Sequence, residues 1–263
     1  IVGDSKVALT YLNSKVAYRT PDEWRSQVES WPREQAISAV NDAGEIEPRF
    51  CVRCIYEETG REATIVADVG QNQMWAAQEF IAKLPNRFIT SGGLGPMGYW
   101  PAAIGAQIAR PGESVWAIIG DGGLQMTIQE LATVAQERLP IKLAIINNGF
   151  LGMVRQWQKI NCDGRYIATS LQGPDFVKVA EAYGISAERV TSENEVKEAI
   201  ARAIDHKGPF LIDFRVAPEA NVYPCVLPKI NHIQPGDNAI QPEKVEAPVE
   251  KRVIVGFVEN NPH

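Results

Sequence analysis

Val115-Trp116-Ala117-Ile118-Ile119-Gly120-Asp121-Gly122-Gly123, followed one helix later by Ile141-Lys142-Leu143-Ala144-Ile145-Ile146-Asn147-Asn148, is the stretch on which the fold turns. Each half opens with an apolar run that lacks polar alternation, the mark of a strand buried on both faces. Leu124 to Glu137 between them reads as a helix, so the stretch is one βαβ crossover. The same alternation runs outward. Ala63-Thr64-Ile65-Val66-Ala67 and Phe88-Ile89-Thr90 read as strands, set among helices at Phe50 to Glu58, Gln73 to Leu84 and Pro101 to Arg110, the last with Pro at its start. Asp175 to Tyr183 and Glu193 to Asp205 read as helices ahead of a final strand, Phe210 to Val216. The expected class is α/β, a parallel sheet flanked by helices on both faces.

At the amino end, residues 1–20 read as the tail of an unfinished element, Pro21-Asp22-Glu23-Trp24 opens a helix, and Asp42 to Pro48 is a linker. After Pro224 the texture changes. Pro228, Pro235, Pro242 and Pro248, with Gly, Asn and charges between them, read as an extended tail.

The 263 residues are 45% hydrophobic and 22% charged, an ordinary soluble composition and enough chain to bury a core without staples. Lys and Arg number 26 against 32 Asp and Glu, a net charge of −6 with no basic stripe, which argues against non-specific nucleic-acid binding. No apolar run approaches the roughly 18 residues of a membrane span, which speaks against a membrane partner. Ile1-Val2-Gly3-Asp4 has neither the basic start nor the apolar centre of a signal peptide, and without an initial Met the chain reads as part of something longer. Cys51, Cys54, Cys162 and Cys225 make no disulfide framework, and Cys51-x-x-Cys54 has no second pair at zinc spacing. Reduced thiols in a cytoplasmic protein is the expectation.

Ligands of an open parallel sheet bind outside the carboxyl ends of its strands. Four polar or glycine-rich loops fall there: Asp68 to Asn72, Ser91 to Gly98, Gly120 to Gly123, and Asn147 to Phe150. Asp121 and Asn148 are one crossover apart, which puts both on the same edge of the sheet. A carboxylate and an amide oxygen suit Mg²⁺, which prefers one or two protein carboxylates with phosphate and water filling the octahedron. Gly122 and Gly123 leave backbone N–H groups bare at the start of a helix, where phosphate is attracted. Taken alone, Gly-Asp-Gly is a tight strand-to-helix turn; the Asn pair is what points to a metal-bridged diphosphate. A nicotinamide site is the weaker reading. Gly93-x-Gly95 lacks its third glycine, and no acidic residue follows at about 20 residues.

Gly120-Asp121-Gly122 followed by Asn147-Asn148 resembles the thiamine-diphosphate signature. Val69-Gly70-Gln71-Asn72-Gln73-Met74-Trp75-Ala76-Ala77-Gln78, Ser91-Gly92-Gly93-Leu94-Gly95 and Gly152-Met153-Val154-Arg155-Gln156-Trp157-Gln158 narrow the resemblance to the acetohydroxyacid (acetolactate) synthase large catalytic subunit. Residues 45–228 resemble that family's carboxy-terminal thiamine-diphosphate-binding domain, and 1–44 the end of its flavin-type middle domain with a connector. The resemblance implies that Asp121, Asn148 and the backbone oxygen of Phe150 hold Mg²⁺. It implies that Val69, Gly70, Gln71, Asn72, Gly122 and Gly123 surround the diphosphate. Gly95 and Met97 would hold the aminopyrimidine, with the Met97 side chain bending the cofactor so that it can add to a 2-ketoacid and stabilise the carbanion left by CO₂. Met153 and Trp157 would line the acceptor pocket; the alternative for that pair is core packing on an amphipathic helix.

Three departures stand out. Asn72 replaces the family's usual His and cannot carry charge. Gly95-Pro96-Met97-Gly98-Tyr99-Trp100-Pro101 is one residue shorter than the family's loop and sets Pro before Met97. The activating glutamate belongs to a domain outside this chain. The resemblance therefore implies acetolactate synthesis only with amino-terminal and middle domains, FAD in the full-length enzyme, a homo-oligomer and a possible small regulatory subunit. The chain by itself would bind the cofactor weakly and be inactive. Lys251 to Pro262, within a tail of 229–263, resembles the first strand of that regulatory subunit; an edge strand or a disordered tail is the alternative. Another thiamine-diphosphate decarboxylase or carboligase, and a truncated assembly module without catalysis, remain as alternatives.

Overall fold

A computed structural model describes residues 3–17, 22–30, 37–93 and 95–223. Six strands form one all-parallel sheet in the order β2-β1-β3-β4-β6-β5. The strands are β1 (Thr64–Ala67), β2 (Phe88–Thr90), β3 (Val115–Gly120), β4 (Lys142–Asn147), β5 (Ser186–Val190) and β6 (Phe210–Arg215). The helices are α1 (Ser5–Lys15), α2 (Asp22–Ser30), α3 (Pro48–Glu58), α4 (Gln71–Glu79), α5 (Ala102–Ala109), α6 (Asp121–Met126), α7 (Leu131–Gln136), α8 (Gly152–Asn161), α9 (Phe176–Ala182) and α10 (Glu193–Asp205).

Period-two alternation divides the strand side chains between two cores. Ile65, Ala67, Trp116 and Ile118 face α3, α4 and α10, while Val66, Ala117 and Ile119 face α5, α6, α7 and α9. Helices thus cover both faces, and the apolar strands are buried on both sides as their sequence requires. After β1 the chain turns to α4 on the first face; after β3 it turns to α6 on the second. The loops that leave these adjoining strands diverge, and the crevice between them is the place where an open sheet receives a ligand. Among the described residues no helix is long and apolar enough to cross a membrane.

The structure corrects four local expectations. The helix expected at Gln73 to Leu84 is α4, starting at Gln71 and ending at Glu79 because Phe80 is extended. The helix expected at Leu124 to Glu137 is broken. α6 begins at Asp121 and stops at Met126, and Thr127 (φ −135°, ψ 30°) leads through a single 3₁₀ turn into α7. Thr127 Oγ1 donates to Gly98 O (3.3 Å), so a loop from another strand holds the break. β5 was not expected, since Ser-Ala-Glu-Arg-Val has no apolar run; it is an edge strand, where outward charges are favoured. Residues 1–20 contain a full helix, α1, capped by Asp4 accepting from Val7 N and burying none of its residues. The expected tail of 229–263, including Lys251 to Pro262, lies outside the described residues, as does Cys225.

α3 and α4 are joined by a buried carboxylate. Glu79, 2% exposed, accepts from Arg49 Nε (2.6 Å) and Arg53 Nε (2.8 Å). Removing the charge leaves two guanidinium groups facing each other in a half-buried site. Glu79→Gln is expected to lower stability to urea by about 2 kcal/mol, below the full figure for a buried pair because both arginines can reach water. A change within about 0.5 kcal/mol would mean that the cluster contributes nothing net.

Candidate functional site

The strand tips of β1, β3 and β4 open into one cleft of about 470 Å³. Of the residues singled out from sequence, Val69, Gly70, Gln71 and Asn72 enter it from the end of β1, and Asp121, Gly122 and Gly123 from the end of β3. Asn148, Phe150, Met153 and Trp157 enter from beyond β4, and Met97 from the loop after β2. Gly95 does not line it.

Asp121 and Asn148 share an end of the sheet because β3 and β4 are adjacent and parallel, with Gly120 opposite Ile146. Asp121 is 3% exposed. Burial pushes its carboxyl up to about 6, against backbone N–H groups of Gly122 and Gly149 that favour the charged form. Asn148 Nδ2 donates to Gln71 Oε1 (3.1 Å), and its Oδ1 accepts from Phe150 N (3.1 Å). The carbonyl of Phe150 belongs to a short antiparallel ribbon in which Leu151 N donates to Thr169 O (2.7 Å) and Leu171 N to Gly149 O (2.8 Å). Carboxylate, amide oxygen and main-chain carbonyl are the kinds of oxygen that a hard cation takes.

The residues of the neighbouring turns are small where the cleft needs room. A Cβ on Gly152 would stand 2.8 Å from Asn148 Nδ2 and 2.9 Å from Gln71 Cδ. Gly70 adopts φ +144° and ψ −163°, a region essentially confined to glycine, and this turn delivers α4 with its first N–H groups toward the cleft.

Residues 68–214 match the family described as "Thiamine pyrophosphate enzyme, C-terminal TPP binding domain". The chain belongs to this family. It is 45% identical over 241 residues to "Acetolactate synthase" of Mycobacterium leprae, covering 86% of this chain and 38% of that protein. It is 40% identical over 238 residues to "Acetolactate synthase large subunit" of Cyanidium caldarium, covering 87% and 40%. To "Acetolactate synthase catalytic subunit, mitochondrial" of Saccharomyces cerevisiae it is 37% identical over 233 residues, covering 86% and 34%. The chain thus spans about two fifths of the length of these relatives.

Within this thiamine pyrophosphate enzyme domain the two residues of the Asn pair part company. Asn147 Nδ2 donates to Asp213 Oδ1 on β6 (2.8 Å), whereas Asn148 faces the cleft, because successive residues at a strand end point opposite ways. Asn72 donates from Nδ2 to Asp68 O (2.8 Å) and Ile118 O (3.1 Å), tying β1 to β3. Gln71 Nε2 likewise donates inward, to Gln156 Oε1 (2.8 Å) and Ala220 O (3.1 Å). The other end of the Gln71 amide, Oε1, is turned to Asn148 at the cleft. Met153 and Trp157 stand half-buried on the cleft side of α8, outside both apolar cores.

Asp68 has no role of its own in the sequence reading beyond opening the loop Asp68 to Asn72. It is fully buried at the end of β1, and its carboxylate accepts from Gly98 N (3.1 Å) and Tyr99 N (2.6 Å), which fastens the loop carrying Pro96 and Met97. Burial raises its carboxyl against the pull of those N–H groups. The available signal was its place directly after an apolar strand, the same place that Asp121 holds on β3. Arg155 and Gln156 were missed as well. They are the buried residues of α8, and no apolar periodicity marks them.

Proposed function

We propose that residues 45–228 are the cofactor domain of an acetolactate synthase, with 1–44 the end of a preceding domain. Asp121, Asn148 and the carbonyl of Phe150 would hold Mg²⁺, whose charge would offset that of the diphosphate of thiamine diphosphate. The main-chain groups of Val69, Gly70, Gln71, Asn72, Gly122 and Gly123 surround that diphosphate. Met97 holds the pyrimidine, Gly95 acts only through the loop that carries Met97, and Met153 and Trp157 shape the space for the acceptor ketoacid. The observation that carries this reading is one carboxylate and one amide, on neighbouring strand tips, opening into a single glycine-lined cleft.

The residues present fit the group. A carboxyl buried at 3% exposure, whose main-chain donors do not offset its burial, is the environment that a divalent cation relieves. When bound, thiamine diphosphate supplies an electron sink for breaking the bond between the carbonyl and carboxylate of a 2-ketoacid. The chain's own part is to orient the diphosphate, exclude water with Met97 and Trp157, and hold the cation. Proton transfer to the cofactor and the flavin site belong to segments beyond 45–228, and the working enzyme is a cytoplasmic homo-oligomer, with a small regulatory subunit as a candidate partner.

The test is thiamine diphosphate binding to this chain with and without Mg²⁺, followed by quenching of Trp157 fluorescence, alongside acetolactate formation from pyruvate. Mg²⁺-dependent binding without turnover is the expected result. Binding indifferent to Mg²⁺ would remove the cation site, and sustained turnover by the chain alone would remove the need for other domains.

A further inference from the structure

α8 turns polar side chains, not aliphatic ones, into the protein. Gln156 is 1% exposed and pairs with the main chain of Val222 at both ends: its Nε2 donates to Val222 O (3.0 Å) and its Oε1 accepts from Val222 N (2.8 Å). A main-chain N–H only donates and a C=O only accepts, so one orientation of this carboxamide satisfies both. Gln156 Oε1 also accepts from Gln71 Nε2 (2.8 Å), which in turn donates to Ala220 O (3.1 Å). Gln71 is thereby fixed with its nitrogen toward α8 and its oxygen toward the cleft. There Oε1 accepts from Asn148 Nδ2 (3.1 Å), leaving Asn148 Oδ1 on the other side, beside the N–H of Phe150.

We infer that Gln156 is a positioning residue which, through Gln71, sets the end of the Asn148 amide that meets the cation. The inference rests on the proposed cation site. Its physical content is polarity. A carboxamide is nearly symmetric in shape, and turned end for end it presents an NH₂ group, whose hydrogens repel a cation. Packing alone cannot choose between the two ends. A chain of three amides anchored on the main chain of Val222 can, because each donor in the series fixes the next acceptor, and at its far end it acts together with the N–H of Phe150, which donates to Asn148 Oδ1. The same series explains why Gly152 has no side chain: a Cβ there would press on both Gln71 and Asn148.

The test is a Mn²⁺ titration of the full chain with thiamine diphosphate present, read from the electron paramagnetic resonance signal of free aqueous Mn²⁺. Gln156→Met keeps the shape and removes both hydrogen-bonding ends; it is expected to weaken Mn²⁺ binding about tenfold or more. Asn148→Asp has no wrong end, since a carboxylate presents oxygen either way. In that background Gln156→Met is therefore expected to change Mn²⁺ affinity by less than about twofold. Gln156→Glu, held neutral by burial, donates its O–H to Val222 O in place of Nε2 and keeps an oxygen facing Gln71 Nε2; it is expected to stay within about threefold of the parent, which keeps the inference testable should the Met variant fail to fold. Equal losses from Gln156→Met in the parent chain and in the Asn148→Asp variant would mean a merely structural role and overturn the inference. So would parent-like binding by Gln156→Met. A parent chain that takes up no Mn²⁺ would overturn the cation site itself, and this inference with it.

Discussion

Asp121→Asn is expected to reduce Mg²⁺-dependent thiamine diphosphate binding by about two orders of magnitude, beyond the usual loss from a supporting residue, and also to stabilise the cation-free chain. Both effects come from one buried charge. Burial pushes the Asp121 carboxyl up to about 6, from an ordinary carboxylate value in the unfolded chain. The raised folded value fixes the sign. Stability from this group is complete below about pH 4 and is lost as pH rises toward 6 and beyond, because the unfolded chain releases the proton more easily. Asn has the same shape and no charge to bury. Its stability advantage over the parent, measured by urea unfolding with a chelator present, is expected to grow by about 2 kcal/mol between pH 4.5 and pH 7.5. An advantage that stays flat over that range would refute the buried-charge account, and undiminished Mg²⁺-dependent binding would refute the ligand role.

Gly123→Ala is expected to be the most damaging single methyl in the domain. The added Cβ would stand 3.0 Å from Asp68 Cγ and closer still to its Oδ2. Asp68 cannot retreat, because it is fully buried and holds the N–H groups of Gly98 and Tyr99. Overpacking of this kind costs about 3 kcal/mol, and here it must also push the loop bearing Met97 away from the cleft. The check is urea unfolding of Gly123→Ala, Asp68→Ala and the double variant. Asp68→Ala alone is destabilising, since it strands two main-chain donors. In the double variant the clash is gone, so the two losses should fall short of additivity by about 1–3 kcal/mol. Strict additivity would mean that the glycine is not there to admit the carboxylate.

The sheet was largely legible in the sequence. Five of its six strands are apolar runs that needed no partner to be seen, and the all-parallel order follows once helices separate them. β5 was not legible because an edge strand is paired on one side only and its charges are taken up by ion pairs from other elements: Glu188 pairs with Arg202, and Arg189 with Asp175 and Asp213. The break at Thr127 was equally hidden. Leu124 to Glu137 has good local helix character, and the interruption is held by a hydrogen bond to Gly98, far away in sequence.

At the site, local pattern by itself determined which strand tips carry polar residues. Asp121 and Asn148 follow apolar runs, and the alternation that buries those runs also delivers both residues to one edge. Only the tertiary structure decided which way each polar group faces. It turned Asn147 to Asp213 and Asn148 to the cleft, gave Asp68 to the loop of Met97, and set Gln156 against a segment 66 residues away and Gln71 at a separation of 85. The reason is physical. Hydrophobic periodicity is a short-range property that a chain carries in its own order, whereas the direction of a buried hydrogen bond is chosen by whichever distant donor or acceptor the completed fold brings beside it.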